Sequence, residues 1–277
     1  MNARGRRGSI RFALIFRLIL CGGLATGLAV GCSSVDLDVI DVDPARLKNG
    51  LLAHWRFDDA LGSTTLADSS GMERNGAISN GTFIPDGQFR GALHFAAGEV
   101  SVPSFPQPRE NWSVAGWVRP PENTDFGDTY LTLISTELVM TGGWQMNIRL
   151  TAPTASAPVG HFYQFAYWIG PGLSDYFYYN CVCVDVGAWT HLAAVVDVTG
   201  GKLSFYRNGE LQPPDPTIDM GSPPPMKAGS STLYLARWPP DSLRDLTGDL
   251  DDFVVYDRAL LPREIQYLAR TGVPPEF

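Results

Sequence analysis

The chain has 277 residues, of which 44% are apolar and 11% aromatic, enough to bury a large core and to exclude a disordered chain. Its 21 basic and 29 acidic side chains leave a net charge of −8, a surface that repels phosphate backbones and anionic lipid headgroups. Nucleic acid is thereby excluded as a natural partner.

Taken in order, the chain opens with Arg4, Arg6, Arg7 and Arg11 ahead of an apolar run, residues 18–30, that is too short and too Gly-rich for a membrane span. This is the pattern of an export signal over residues 1–31. Its end, Leu28-Ala29-Val30-Gly31-Cys32, resembles the bacterial lipobox, in which cleavage falls before a cysteine that carries the lipid. Cys32 is the expected lipidation site; the alternative is an ordinary cleaved signal with Cys32 a bystander. Acyl chains on Cys32 would hold the protein at the outer membrane or cell surface, rather than the cytoplasmic membrane, with no spanning helix. Loss of residues 1–31 removes five arginines, leaving 16 basic against 29 acidic side chains and a net charge of −13.

Residues 32–49 carry Asp36, Asp38, Asp41 and Asp43 and read as an acidic tether, with an added edge strand as the alternative. The domain is expected over residues 50–277. Strands are predicted at 51–58, 91–95, 99–102, 112–119, 130–135 and 143–150, with 62–81 a polar, Gly- and Ser-rich loop. Residues 161–169 and 176–184 read as a hairpin across Gly170-Pro171-Gly172.

Residues 189–212 organise the rest. The stretch 189–196 is almost wholly apolar, which suits a strand covered on both faces, and Asn208-Gly209 is a strong hairpin signal because both residues of a type I′ turn need positive φ. After a proline-loaded loop, 231–237 and 248–256 are the closing strands. Residues 262–270 are the one convincing helix: Pro262 sits in its first turn, Glu264 near its positive end, Arg270 near its negative end and Gly272 just beyond. The expected fold is all-β, a two-sheet antiparallel jelly-roll sandwich with one short C-terminal helix.

The cysteines that remain after export and lipidation, Cys181 and Cys183, stand i, i+2 on a strand, with Cα atoms about 6.5 to 7 Å apart. They read as two small buried hydrophobes or a strained bridge, not a metal site, because zinc needs four ligands and no cluster supplies them.

The segments LLAHWRFDDALGSTTLADSSG, GALHF, WSVAGWVRP, WTHLAAVVDVTGGKLSFYRNGEL and GDLDDFVVYDRALLPREIQYL follow one another over residues 50–270. In that order they resemble the laminin-G-like branch of the concanavalin A-like lectin/glucanase superfamily. The resemblance implies two curved antiparallel sheets that bind glycans or protein ligands, often with calcium, and an envelope protein or a glycan as partner. In such jelly rolls the first and last strands lie side by side, which would set the Asp68 loop against the closing strand.

Three constellations follow. By strict alternation Asp251 shares a face with Phe253 and Val255, and a buried carboxylate must be paired or coordinated. Calcium needs six to eight oxygens; Asp68, Asn75, Asp251 and Asp252 with loop carbonyls are the candidate set. The loop DSSGMERNG departs from the family's DSSGNGNDG, and the alternative is that Asp68 and Asp251 cap backbone amides. Glycoside hydrolysis requires two carboxylates about 5 to 10 Å apart. The related glucanases place Glu-x-Asp-x-x-Glu on one strand, whereas here Asp249-Leu250-Asp251-Asp252 is followed by Val254 at the last acid position, so no catalytic residues are assigned. The third is an aromatic platform. On the first strand Tyr163, Phe165 and Tyr167 share one face with Phe162 and Trp168 on the other, and on the second Phe177 and Tyr179 oppose Tyr176 and Tyr178; one set must be core, and register decides which. Trp168, Tyr176 and Tyr178 are the expected stacking rings for a sugar, with Asp175, Asn180 and Gln164 available to its hydroxyls.

Overall fold

A computed structural model describes residues 42–122, 129–136, 142–150, 162–170, 176–181, 184–213, 221–226, 229–240 and 242–273. Cys32, Asp175 and Cys183 lie outside them. The elements run α1 (Pro44–Lys48), β1 (Leu51–Trp55), β2 (Thr65–Leu66), β3 (Gly76–Ile84), β4 (Ala92–Pro106), β5 (Asn111–Arg119), β6 (Thr129–Thr136), β7 (Trp144–Leu150), β8 (Phe162–Trp168), β9 (Tyr176–Cys181), β10 (Thr190–Asp197), β11 (Lys202–Arg207), β12 (Glu210–Leu211), β13 (Ser230–Leu235), β14 (Thr247–Tyr256) and α2 (Pro262–Thr271). All strand pairs are antiparallel.

The corner of the fold is β4. Its residues Leu93 to Ala96 pair with β14 and its residues Val100 to Pro106 with β13, while β3 runs along its opposite edge. Between these halves Ala97 takes φ 62°, and the neighbours diverge into two layers. One layer is β12-β11-β10-β5-β14, with β1 on β14; the other is β13-β6-β7-β8-β9. β1 and β14 thus lie side by side, as expected for the first and last strands of a jelly roll.

Aromatic side chains from both layers fill the space between them. Trp112 on β5 packs against Trp144, Phe165 and Tyr167 on β7 and β8 at centroid distances of 5.1, 5.4 and 6.1 Å. At the far edge Tyr179 on β9 stacks on Phe205 of β11 at 5.5 Å, and its hydroxyl donates to the Gln212 carbonyl at 2.6 Å, which closes the roll. Gly116 is required here: a Cβ would stand 2.3 Å from the Phe253 ring. Asn208 and Gly209 take φ 52° and 82°, the turn expected from the sequence.

β10 is buried on both faces, as its composition demands. Leu192, Ala194 and Val196 point between the layers, while Ala193 and Val195 join a second apolar cluster with Tyr206, Val254 and Tyr256. Helix α2 covers that cluster with Ile265 and Leu268, and Leu260 joins it from just before the helix. Glu264 is anchored beneath it, paired through both oxygens with Arg258 at 2.7 and 3.0 Å and accepting the Leu261 N–H. Val42 and Leu47 join the same cluster, so residues 42–49, read from the sequence as tether, are packed on the domain around the short helix α1.

Two further expectations change. The predicted loop at 62–81 contains β2 and most of β3, because Ile78 packs on the core from a Gly- and Ser-rich strand whose polarity hides it. Asp251 does not share the face of Phe253 and Val255: a bulge between Asp251 and Val254, with Asp252 at φ 49°, adds a residue and turns Asp251 to the outer face.

Candidate functional site

The outer face of the second layer is where unspent polar chemistry collects. Alternation along β7 sends Trp144, Met146, Ile148 and Leu150 into the core and Gln145, Asn147 and Arg149 outward. Register then aligns Thr132, Asn147, Gln164 and Asn180 in one row across β6, β7, β8 and β9. The next row is Tyr234, Ser135, Gln145, Ala166 and Tyr178, and Trp168 pairs with Tyr176 beyond it.

Within these rows Gln164 donates to Asn180 Oδ1 at 2.9 Å and Ser135 donates to the Arg237 carbonyl at 2.7 Å. Thr132 Oγ1, Asn147 Oδ1 and Gln145 Oε1 are buried without a hydrogen-bond partner. A buried polar atom left unpaired costs about 1 to 3 kcal/mol, and Thr132, Gln145 and Asn147, at 0%, 4% and 1% exposed, lie beneath this face rather than on it. Half-buried Tyr178 and Asn180 are where the rows meet solvent.

Aromatic and cationic groups border the rows. Trp168 packs with Ala166 and Trp238, with Tyr178 against them. Trp238 is placed by the segment after β13: its N–H donates to Asp245 Oδ1, and the Arg244 carbonyl accepts from Thr132 N–H at 2.8 Å. The Arg244 guanidinium lies 3.9 Å from the Trp238 ring centre and 4.8 Å from that of Tyr130, which Arg149 also approaches at 5.3 Å.

The register therefore assigns the aromatics. Tyr163, Phe165, Tyr167, Phe177 and Tyr179 pack between the layers; Trp168, Tyr178 and Asn180 belong to the strand positions of the outer face. Trp168 is not an open stacking ring, however, because it is only 6% exposed beneath its tryptophan neighbour. Thr132, Gln145, Asn147, Trp238 and Arg244 were not singled out from the sequence. The alternation of WQMNIRL carries the signal for Gln145 and Asn147; nothing local announces the others.

The calcium candidates are not brought together. Asp68 Oδ1 accepts from the backbone N–H groups of His54 and Ser70, and Oδ2 from the Ser70 hydroxyl and Arg74 N–H, at 2.8 to 3.0 Å. Asn75 Oδ1 accepts from Asp68 N–H. Asp252 pairs with His54 Nε2 at 2.7 Å and accepts from Val273 N–H. Asp251 Oδ2 accepts from Phe89 N–H at 2.9 Å. Each carboxylate faces donors of its own loop or strand, so the set does not fit an ion that needs converging oxygens, and among the described residues no cluster of three or more acidic, His or Cys side chains does so. Capping of backbone amides is the role seen for Asp68 and Asp251.

Burial sets the charge state beside Asp251. It pushes the Asp251 carboxyl up to about 8, against the relief given by Phe89 N–H, and lowers the His191 imidazole to about 4. Cys181 is disulfide-bonded, so it is not the small free hydrophobe that one sequence reading allowed, and its partner lies outside the described residues.

A groove of about 400 Å³ lies elsewhere, between Phe57, Phe83, Pro85 and Arg90. Its carboxylates are already occupied: Asp58 accepts from Gly91 N–H and Asp59 from Ala67 N–H.

A family model described as the concanavalin A-like lectin/glucanases superfamily matches residues 96–266. The chain belongs to this superfamily. Among solved structures, domain 4 of AbnA, an extracellular arabinanase from Geobacillus stearothermophilus seen in complex with arabinotriose, aligns at TM-score 0.56 and 21% identity over 79% of this chain and 98% of that one. The botulinum neurotoxin serotype G binding domain aligns at 0.53 and 16% over 79% of this chain, and the serotype D ligand binding domain in complex with N-acetylneuraminic acid at 0.55 and 14% over 82%. This chain spans about half the length of those toxin domains, covering 50% and 52% of them. At these identities the likeness is one of fold. No curated protein matches the sequence.

Within a superfamily that includes glucanases, the acids of β14 deserve comparison with a catalytic strand. Asp249 is held by Arg119 at 2.7 Å and His94 at 2.6 Å, Asp251 by the Phe89 loop and Asp252 by His54, so each has its own structural partner.

Proposed function

We propose that this protein is a non-catalytic carbohydrate-binding module of the bacterial cell envelope, held to the membrane by lipid on Cys32 and taking its glycan on the outer face of β6 to β9. The observation that carries the reading is the half-buried pair Tyr178 and Asn180, two residues apart on β9, where the polar rows of this face meet solvent. The apolar face of a pyranose or furanose stacks on an aromatic ring such as Tyr178, and the Asn180 amide can meet its hydroxyls. The complex of the AbnA domain with arabinotriose supports carbohydrate as the ligand class.

Absence of catalysis is supported by the β14 acids, each engaged by a basic or backbone partner. The anchor is supported by the lipobox-like end of the signal; among the described residues no helix is long and apolar enough to cross a membrane.

The test is a binding screen against plant and microbial polysaccharides with the wild type, Tyr178→Ala and Asn180→Ala. Retention of at least one glycan, lost in both variants while the melting curve is kept, is expected. A silent panel alongside specific pull-down of one envelope protein would replace this reading with an assembly role. Reducing-end release that disappears in Asp251→Asn would replace it with an enzyme.

A further inference from the structure

We propose that the glycan is acidic, and that the Arg244 guanidinium receives a sugar carboxylate at the edge of the same outer face; this rests on the carbohydrate reading above. Many arginines of the domain are matched to carboxylates: Arg119 to Asp249 and Asp86, Arg237 to Glu99 and Asp245, Arg258 to Glu264. Arg244 is treated differently. Among the described residues it has no carboxylate partner; its guanidinium is packed against Trp238 at 3.9 Å and Tyr130 at 4.8 Å.

Packing against rings restrains the plane of a guanidinium while leaving its N–H donors at the edge, the geometry that binds a carboxylate through two parallel hydrogen bonds. The position is held at both ends. The Arg244 carbonyl accepts from Thr132 N–H, and the following residue, Asp245, fixes Trp238 through its backbone N–H. Arg149 brings a second guanidinium to the same Tyr130 ring at 5.3 Å.

Thr132 connects this charge to the proposed sugar site. It begins the row that runs through Asn147 and Gln164 to half-buried Asn180. Carboxylate-accepting and hydroxyl-accepting groups are thus joined in one patch, which describes a uronic-acid-containing saccharide better than a neutral one. On a mature chain of net charge −13, with 16 basic against 29 acidic side chains, general attraction cannot supply this preference, so it must come from placed cations.

The experiment is titration calorimetry of the full protein with oligogalacturonate, its methyl ester and arabinotriose, on wild type, Arg244→Gln, Arg244→Lys and Asn180→Ala. Oligogalacturonate should bind about tenfold or more tightly than its methyl ester, and Arg244→Gln should remove that difference, given the strength of charge-assisted hydrogen bonds. Arg244→Lys should recover only part of it, and the preference should shrink with added NaCl. Equal binding of ester and acid, unaffected by Arg244→Gln but lost in Asn180→Ala, would overturn the acidic assignment and leave the glycan site standing. Binding of none of the saccharides would overturn both.

Discussion

Phe89 donates its backbone N–H to Asp251 at 2.9 Å, and this contact, not an ion shared with the Asp68 loop, accounts for the carboxylate inside the outer cluster. Its second oxygen has no partner, and directly across the strands stand Trp117 and, beyond it, His191. The pair Asp251 and His191 makes stability depend on pH. Asp251 rises from an ordinary value of 3.8 to about 8 in the folded state, so the folded protein holds a proton that the unfolded chain releases, and stability falls as pH rises through that window. His191 drops from 6.5 to about 4, so stability falls as pH drops below 6.5. The two slopes oppose each other below pH 6.5, and above it Asp251 acts alone. Melting temperature measured from pH 6.5 to 8.5 should decline in wild type and flatten in Asp251→Asn, whose amide mimics the neutral acid; parallel slopes would contradict this.

Calcium is expected to leave the melting temperature unchanged. Asp68 already receives four hydrogen bonds through its two oxygens, and exchanging them for an ion would open the loop they tie together. A rise on adding calcium that chelator reverses would show an ion bound to this loop. Asp68→Ala, by contrast, should lower stability by about 2 kcal/mol in either solution, because the donors lose a charged acceptor.

Asn147 offers a separation of binding from folding. With its side-chain oxygen buried and unpaired, Asn147→Val should keep or raise the melting temperature, by the equivalent of about 1 kcal/mol, because it fits a β-strand and removes an unmet polar atom. The same change should leave retention on any glycan that the wild type binds unaltered, because the side chain lies beneath the face. Clear destabilisation would mean that the oxygen has a partner in solution.

Arg258 and Glu264 give the opposite case. Removing the guanidinium in Arg258→Ala leaves Glu264, whose side chain is 1% exposed, as an uncompensated charge under helix α2. A loss of about 3 kcal/mol in chemical denaturation is expected, with glycan affinity untouched because the helix covers the other layer.

For the anchor, Cys32→Ser should shift the protein from the membrane fraction to the soluble fraction after cell lysis. Retention of the variant on membranes would remove the lipid from the account.

The residues by themselves determined the fold class, most strands and the one long helix. Val, Ile, Leu and aromatics at period two or in unbroken runs leave few alternatives to antiparallel strands covered on one face or both, and Asn208-Gly209 or the Pro262 to Gly272 helix signals act through local backbone geometry. β3 escaped because a strand carried by Gly, Ser and Asn is held by pairing to β4, a contact its own composition does not reveal. Asp251 was placed on the wrong face because one bulge residue at Asp252 reverses alternation, and only the packing of Phe253 on Gly116 and Asp251 beneath Phe89 decides where that residue goes. The proposed site is likewise a product of tertiary structure: Thr132, Asn147, Gln164 and Asn180 belong to four strands, and Arg244 reaches Tyr130 across more than a hundred residues of chain. Local patterns specify which side of a strand faces water, but the partner opposite each side chain is set by register between strands, which depends on the whole sandwich closing.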